Sequence, residues 1–188
     1  MNFKRIISAV LLLSAIFALT ACGGPDYSEY RTDDNLIGKE EYSGKELSAY
    51  LFKPEDADAR LEIVNAEKDK VVHYVDLPEK GEYYALFEID LALSGAAFQD
   101  MNFDGIKDLY IPCCASTANL EGMAWLWDKN EGEFVLYEEL CKVYELTVDA
   151  EKKIIVGTDY ASNDGILRTE YKWEEGKLVK ADEYIVIN

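Results

Sequence analysis

The sequence predicts an all-β fold of short antiparallel strands, arranged as an incomplete β-propeller-like array. Two observations carry this. From about residue 47 onward, short apolar and aromatic runs alternate with clusters of turn-forming residues, the spacing of a sandwich, barrel or propeller-like array. Thirteen tyrosines suit pleated, half-buried surfaces. No long helical connection separates the runs, so neighbouring strands are expected to join through hairpins rather than the crossovers of a parallel sheet.

Taken in order, the chain opens on a targeting segment, residues 1–21, which fold reasoning excludes. Lys4 and Arg5 precede an apolar stretch, 6–19, that is short for crossing a bilayer. It ends in Leu19-Thr20-Ala21-Cys22 and continues Gly23-Gly24. This resembles the bacterial lipobox, in which the cysteine is acylated and becomes the first mature residue; the alternative is an ordinary secretory signal that happens to contain a cysteine. Acylation at Cys22 implies an extracytoplasmic, membrane-anchored lipoprotein, periplasmic or on the cell surface. Two or three chains anchor stably where one is marginal, at roughly 0.8 kcal/mol per buried methylene. Residues 22–44 hold Gly, Pro, Ser, Asp and Glu with little apolar content and read as a flexible acidic tether. The folded domain is expected over 45–188.

Within it the strand candidates are 47–52, 60–64, 71–75, 84–91, 96–99 and 109–111, then 123–127, 133–137, 143–148, 153–158, 166–173 and 177–187. The clusters 128–132, 149–152 and 174–176 read as hairpin turns. Alternation is clearest in Arg168-Thr-Glu-Tyr-Lys-Trp173, the period of a strand with one buried face. Only 137–144 reads as a short helix.

The most informative stretch is Asp100-Met-Asn102-Phe-Asp104-Gly105-Ile106-Lys-Asp108. Side-chain oxygens stand at its first, third, fifth and ninth positions, with a glycine at the sixth. Hard cations such as Ca²⁺ take six to eight oxygens, which a tight loop supplies by turning alternate residues inward. Gly105 permits the sharp turn, and the carbonyl of Ile106 is the seventh-position donor. The flanks are strand-like, and position twelve is Ile111 rather than Glu, so Asp108 is expected to complete the set of ligands in place of an EF-hand glutamate. A surface turn rich in Asx residues is the alternative. The cofactor expectation is one Ca²⁺.

Composition narrows the partners. The formal charge is −18, and removal of Lys4 and Arg5 takes it to −20. Such a surface repels nucleic acid and anionic lipid heads and suits a cationic protein partner, or solubility alone. Three cysteines follow Cys22: the vicinal Cys113 and Cys114, and Cys141. A disulfide from Cys113 or Cys114 to Cys141 is expected outside the cytoplasm, worth roughly 3–4 kcal/mol in the chain-entropy model. A zinc site is the alternative, with His73, the only histidine, as the one further ligand of that kind; His73 itself reads as a strand residue.

No phosphate-binding loop, nucleophile elbow or zinc-protease helix occurs, and one histidine makes a catalytic triad improbable. An enzyme is therefore not expected. The cluster Asp159-Tyr160-Ala-Ser-Asn163-Asp164-Gly165 does not repeat the first loop's spacing. It reads as a hairpin loop, and its functional reading is a partner-binding tip of Tyr160, Asn163 and Asp164, with Tyr160 as the aromatic anchor.

Three stretches together carry a resemblance. They are Asp100-Met-Asn-Phe-Asp-Gly-Ile-Lys-Asp-Leu109; Trp125-Leu-Trp-Asp128 leading through Glu133-Phe-Val135, Glu139-Leu140 and Lys152-Lys-Ile154; and Glu170-Tyr-Lys-Trp173 followed by Gly176-Lys-Leu178-Val179. They are similar to the calcium-binding, β-propeller-like envelope lipoproteins that act as immunity proteins and lysozyme inhibitors against peptidoglycan hydrolases delivered by type IV secretion. The loop also overlaps those of FG-GAP/integrin-like propellers. The resemblance implies one bound Ca²⁺, held by Asp100, Asn102, Asp104, the Ile106 carbonyl and Asp108. It further implies inhibition of a cationic, lysozyme-like hydrolase by blocking its cleft. A surface adhesion or scaffold lipoprotein with a structural calcium site is the second expectation.

Overall fold

The computed structural model describes residues 25–84, 86–115, 120–162 and 165–187. Its strands form three four-stranded antiparallel sheets, each a meander of strands consecutive in the chain. Sheet 1 holds β1 (Leu36–Tyr42), β2 (Lys45–Phe52), β3 (Ala59–Asn65) and β4 (Lys70–Leu77). Sheet 2 holds β5 (Ala97–Gln99), β6 (Asp108–Ala115), β7 (Leu120–Asp128) and β8 (Glu133–Leu136). Sheet 3 holds β9 (Thr147–Asp149), β10 (Ile154–Ser162), β11 (Gly165–Glu174) and β12 (Lys177–Val186). The expectation of an all-β chain of antiparallel strands is met.

Sheet 2 lies in the middle, and its strands show why. On one face Leu109, Ile111, Met123, Trp125, Trp127 and Phe134 meet Leu47, Ala49, Leu51, Leu61, Ile63 and Leu77 of sheet 1 in a single core. On the other, Tyr110 and Ala124 join Met101, Leu140, Val143, Leu146 and Ile155 in a second core, flanked by Tyr171 and Trp173 of sheet 3. Successive residues of a strand face opposite sides, so a strand buried on both reads as an unbroken apolar run. Gly-Met-Ala-Trp-Leu-Trp, 122–127, is such a run.

Two turns are explained by backbone angles that favour glycine. Ser43 and Gly44 (φ 53° and 74°) join β1 to β2, and Glu175 and Gly176 (φ 49° and 76°) join β11 to β12. Two successive positive φ values define the turn whose twist matches a hairpin.

Four sequence expectations are corrected here. The tether does not extend to residue 44: residues 36–42 form β1, and Tyr42, 3% exposed, is part of the first core. Of the described residues in 84–91 none is in a strand: 84 and 86–88 are irregular, and the chain then enters α1 (Ile89–Gly95). Ile89, Ala92 and Leu93 face the first core from it, at helical spacing, and Ala96 joins them from the C-cap. The run 143–148 contributes only its end, to β9, while α2 (Glu138–Cys141) falls within the expected short helix. Finally, no bridge reaches Cys141. It is a buried thiol whose Sγ donates to the carbonyl of Tyr137 at 3.4 Å and lies 3.5 Å from the N–H of Ala124. The sulfur is thus held against β7, whereas Cys113 is buried in β6, its Sγ 3.4 Å from the carbonyl of Ile111. The side chain of Cys114 lies outside the described residues, as does Cys22.

Candidate functional site

The loop between β5 and β6 is where the three sheets meet. Tyr42 Oη, from sheet 1, donates to the carbonyl of Lys107 at 2.8 Å. Trp173 Nε1, from sheet 3, donates to the carbonyl of Met101 at 2.8 Å. Within sheet 2, the N–H of Trp127 donates to Asp108 Oδ1 at 2.9 Å. Lys107 also pairs with Glu40 of β1. The loop is therefore fixed by side chains arriving from every layer of the molecule.

Inside the loop the oxygens turn onto its own backbone. Asp100 Oδ1 accepts the N–H of Asp104 at 3.1 Å and its Oδ2 that of Gly105 at 2.9 Å. Asn102 Oδ1 accepts the N–H of Asp104 at 3.0 Å, and Asp104 Oδ1 that of Ile106 at 2.9 Å. Phe103 and Gly105 take positive φ, 60° and 87°; glycine meets this at no steric cost, while phenylalanine is strained there. The side chains of Asp100, Asn102 and Asp104, predicted from spacing alone, are thus gathered at one tight turn.

Asp108 has a task the spacing did not reveal. It is 0% exposed, and besides Trp127 its carboxylate accepts the N–H of Met101 at 2.9 Å on Oδ2. Burial pushes its pKa up to about 6, against the opposing hydrogen bonds from the backbone of Trp127, Met101 and Asn102. It clamps both ends of the loop to β7. Among the described residues no three or more His, Cys, Asp or Glu side chains converge as a metal cluster. The donor set here differs in kind: two exposed or half-exposed carboxylates, an amide oxygen and a backbone carbonyl, all hard oxygens of the type that suits Ca²⁺.

Beside the loop lies a shallow open cleft of about 310 Å³, into which Asn102 and Asp104 project from the loop, Asp128 and Lys129 from the β7–β8 turn, and Val135 and Tyr137 from β8 and its exit. Sequence reasoning missed this cleft, because it forms between two turns 25 residues apart. Val135, 46% exposed, is the apolar residue it leaves facing solvent, a feature the sequence does not mark. No family model, curated protein or solved structure matches the chain.

The other predicted partner residues lie elsewhere. Tyr160 is within β10 rather than at a loop tip. It is 44% exposed, and a hydrogen bond to the Glu145 carboxylate raises its pKa. Asn163 and Asp164 lie outside the described residues.

Proposed function

We propose that this chain is an envelope-anchored, non-catalytic lipoprotein that binds Ca²⁺ and inhibits a cationic, lysozyme-like peptidoglycan hydrolase by occupying its cleft. The observation that carries it is the loop of residues 100–108, whose oxygens are gathered at a turn tied to all three sheets. Asp100, Asn102, Asp104 and the Ile106 carbonyl would hold the ion, while Asp108, at the ninth position, would brace the loop through the N–H groups of Met101 and Trp127. Bound calcium would supply charge neutralisation and stiffness. The three consecutive four-stranded sheets support an incomplete propeller-like arrangement, and a formal charge of −18 favours encounter with a cationic partner. Acylated Cys22 would place the domain in the compartment where such hydrolases act. The aromatic residue offered to the partner is Tyr160.

The test is turbidimetric lysis of cell walls by a panel of lysozyme-like hydrolases, with the protein added in calcium or in chelator. Calcium-dependent inhibition at stoichiometric amounts is expected, lost in Asp104→Ala. Full lysis throughout, with calcium still raising the melting temperature, would instead favour the second reading, a surface adhesion or scaffold lipoprotein. That reading draws on the loop's work as a joint between sheets.

A further inference from the structure

Residues 25–35 precede β1, and the structure lays them across the outer face of sheet 1, the face turned from the core. Tyr30 stacks on Phe52 with ring centroids 5.2 Å apart and planes 13° from parallel, and Tyr27 leans on the same ring at 5.8 Å. Phe52 is left 1% exposed. Arg31 Nε lies 3.0 Å from Glu62 Oε2, and its Nη1 3.2 Å from Asp69. Arg60 holds the other oxygen of Glu62 at 3.0 Å and Asp76 at 2.7 Å. Its guanidinium also lies over the rings of Tyr27 and Tyr74, at 5.0 and 3.7 Å. Glu62 is thus a carboxylate 2% exposed between two guanidiniums, one of them supplied by the N-terminal segment. Charge-assisted bonds of this kind are the strong ones. The segment's two 3-10 turns, Ser28–Tyr30 and Asp33–Asn35, bury no residue of their own; what they do is cover Phe52 and Glu62.

Five residue steps separate Cys22 from Tyr27, a reach of at most about 17 Å even when fully extended. That is close to one radius of gyration for a domain of this size, roughly 15 Å. A free tether of residues 22–44 would reach roughly 75 Å when extended and about 26 Å on average. We propose that residues 25–35 form a docked strap which, with Cys22 acylated, seats the sheet 1 end of the domain against the bilayer and leaves sheet 3 as the end presented to a partner. The proposal rests on the lipid-anchor reading above. Because sheet 2 lies between the other two, the strapped face and sheet 3 are at opposite ends of the stack, and Tyr160 stands at the outward one.

The test uses the full chain with its own N-terminus in vesicles of phosphatidylethanolamine and phosphatidylcholine, zwitterionic lipids that the acidic surface does not repel. A fluorescent amino acid replaces Val72, exposed on the outer face of sheet 1, or Lys172, exposed on sheet 3. Its energy transfer to an acceptor on the lipid headgroups is then measured. Strong transfer from position 72 and weak transfer from position 172 are expected, and inserting about ten Gly/Ser residues between Asp26 and Tyr27 should bring the two values together. Equal transfer from both positions without the insertion overturns the seating. The mass of the N-terminal peptide is read on the same preparation. An unmodified Cys22 overturns the anchor and the seating together, whereas acylated Cys22 with equal transfer overturns the seating alone. Amide hydrogen exchange on the detergent-solubilised chain tests the strap itself: the amides of Tyr30 and Arg31, bonded to the carbonyls of Tyr27 and Ser28, should exchange at least about tenfold faster in Tyr30→Ala/Arg31→Ala. Unchanged exchange there overturns the docking.

Discussion

The hydroxyl of Tyr110 sits in the second core with no hydrogen-bond partner among the described residues, on a side chain only 6% exposed. A buried polar group without a partner carries its desolvation cost uncompensated. Tyr110→Phe should therefore leave stability unchanged or raise it by up to about 1 kcal/mol, read from urea unfolding; a loss of more than that would show that the hydroxyl has a partner in solution. His73 is a second such group. Its Nε2 is buried without a partner among the described residues, on β4 opposite Ile63 of β3, and burial lowers its pKa, with Glu133 of β8 the opposing charge. The folded chain thus binds the proton less readily than the unfolded one, so His73 should erode stability as pH falls below about 6.5. Urea midpoints of the native chain and of His73→Phe should diverge between pH 7.5 and 5.5, the native chain falling further; parallel curves would remove His73 from the acid response. The sequence made parts of this scale legible and hid others. Asp100, Asn102 and Asp104 are readable because a turn imposes local spacing. The clamp made by Asp108 is not, because its partner, the N–H of Trp127, lies nineteen residues on and backbone donors leave no mark in composition.

At the scale of elements, the glycines of the sheets record close approaches. A Cβ at Gly122 of β7 would come within 2.3 Å of Tyr110 Oη and 2.5 Å of its Cζ, so the ring lies directly over the glycine. Gly122→Ala should cost about 1–3 kcal/mol by overpacking, measured as a drop in the urea midpoint. Recovery in Gly122→Ala/Tyr110→Leu would show that the ring is the obstacle. Hairpins with strong turn chemistry, such as 174–176, were legible because two residues decide them. The strand β1 was not. Its sequence, Leu-Ile-Gly-Lys-Glu-Glu-Tyr, has little alternation, and what orders it is pairing with β2 and the packing of Tyr42 against Trp127, 4.4 Å between ring centroids. The first turn of α1, residues 89–91, was misread as the end of a strand because a short apolar run fits either period, and only the surface it meets decides.

For the whole molecule, an excess of acidic over basic residues gives a formal charge of −18, which works against compactness. Raising ionic strength shortens the screening length to about 8 Å at 0.15 M and should raise the melting temperature; a fall with added sodium chloride would mean that attractive pairs such as Arg31–Glu62 dominate. The same measurement with calcium chloride at matched ionic strength separates screening from binding at the loop. An extra rise in calcium, absent in Asp104→Ala, is expected and amounts to about 1.4 kcal/mol at tenfold excess over the dissociation constant. An identical response of the two chains would remove calcium from the loop. The all-β class was legible because period-two patterning is local. The three-sheet stack was not, since it depends on which face of the middle sheet meets which neighbour. That stack has a kinetic corollary. Each sheet closes on one continuous stretch, Leu36–Leu77, Ala97–Leu136 and Thr147–Val186, and every hydrogen-bonded neighbour is the next strand along. Low sequence separation between pairing strands favours fast formation, so each meander can zip as an independent hairpin series. The slow events left are the two docking steps onto the middle sheet. Until both have occurred that sheet carries an apolar face open to other chains, and the docking steps, rather than strand pairing, are where aggregation competes with folding.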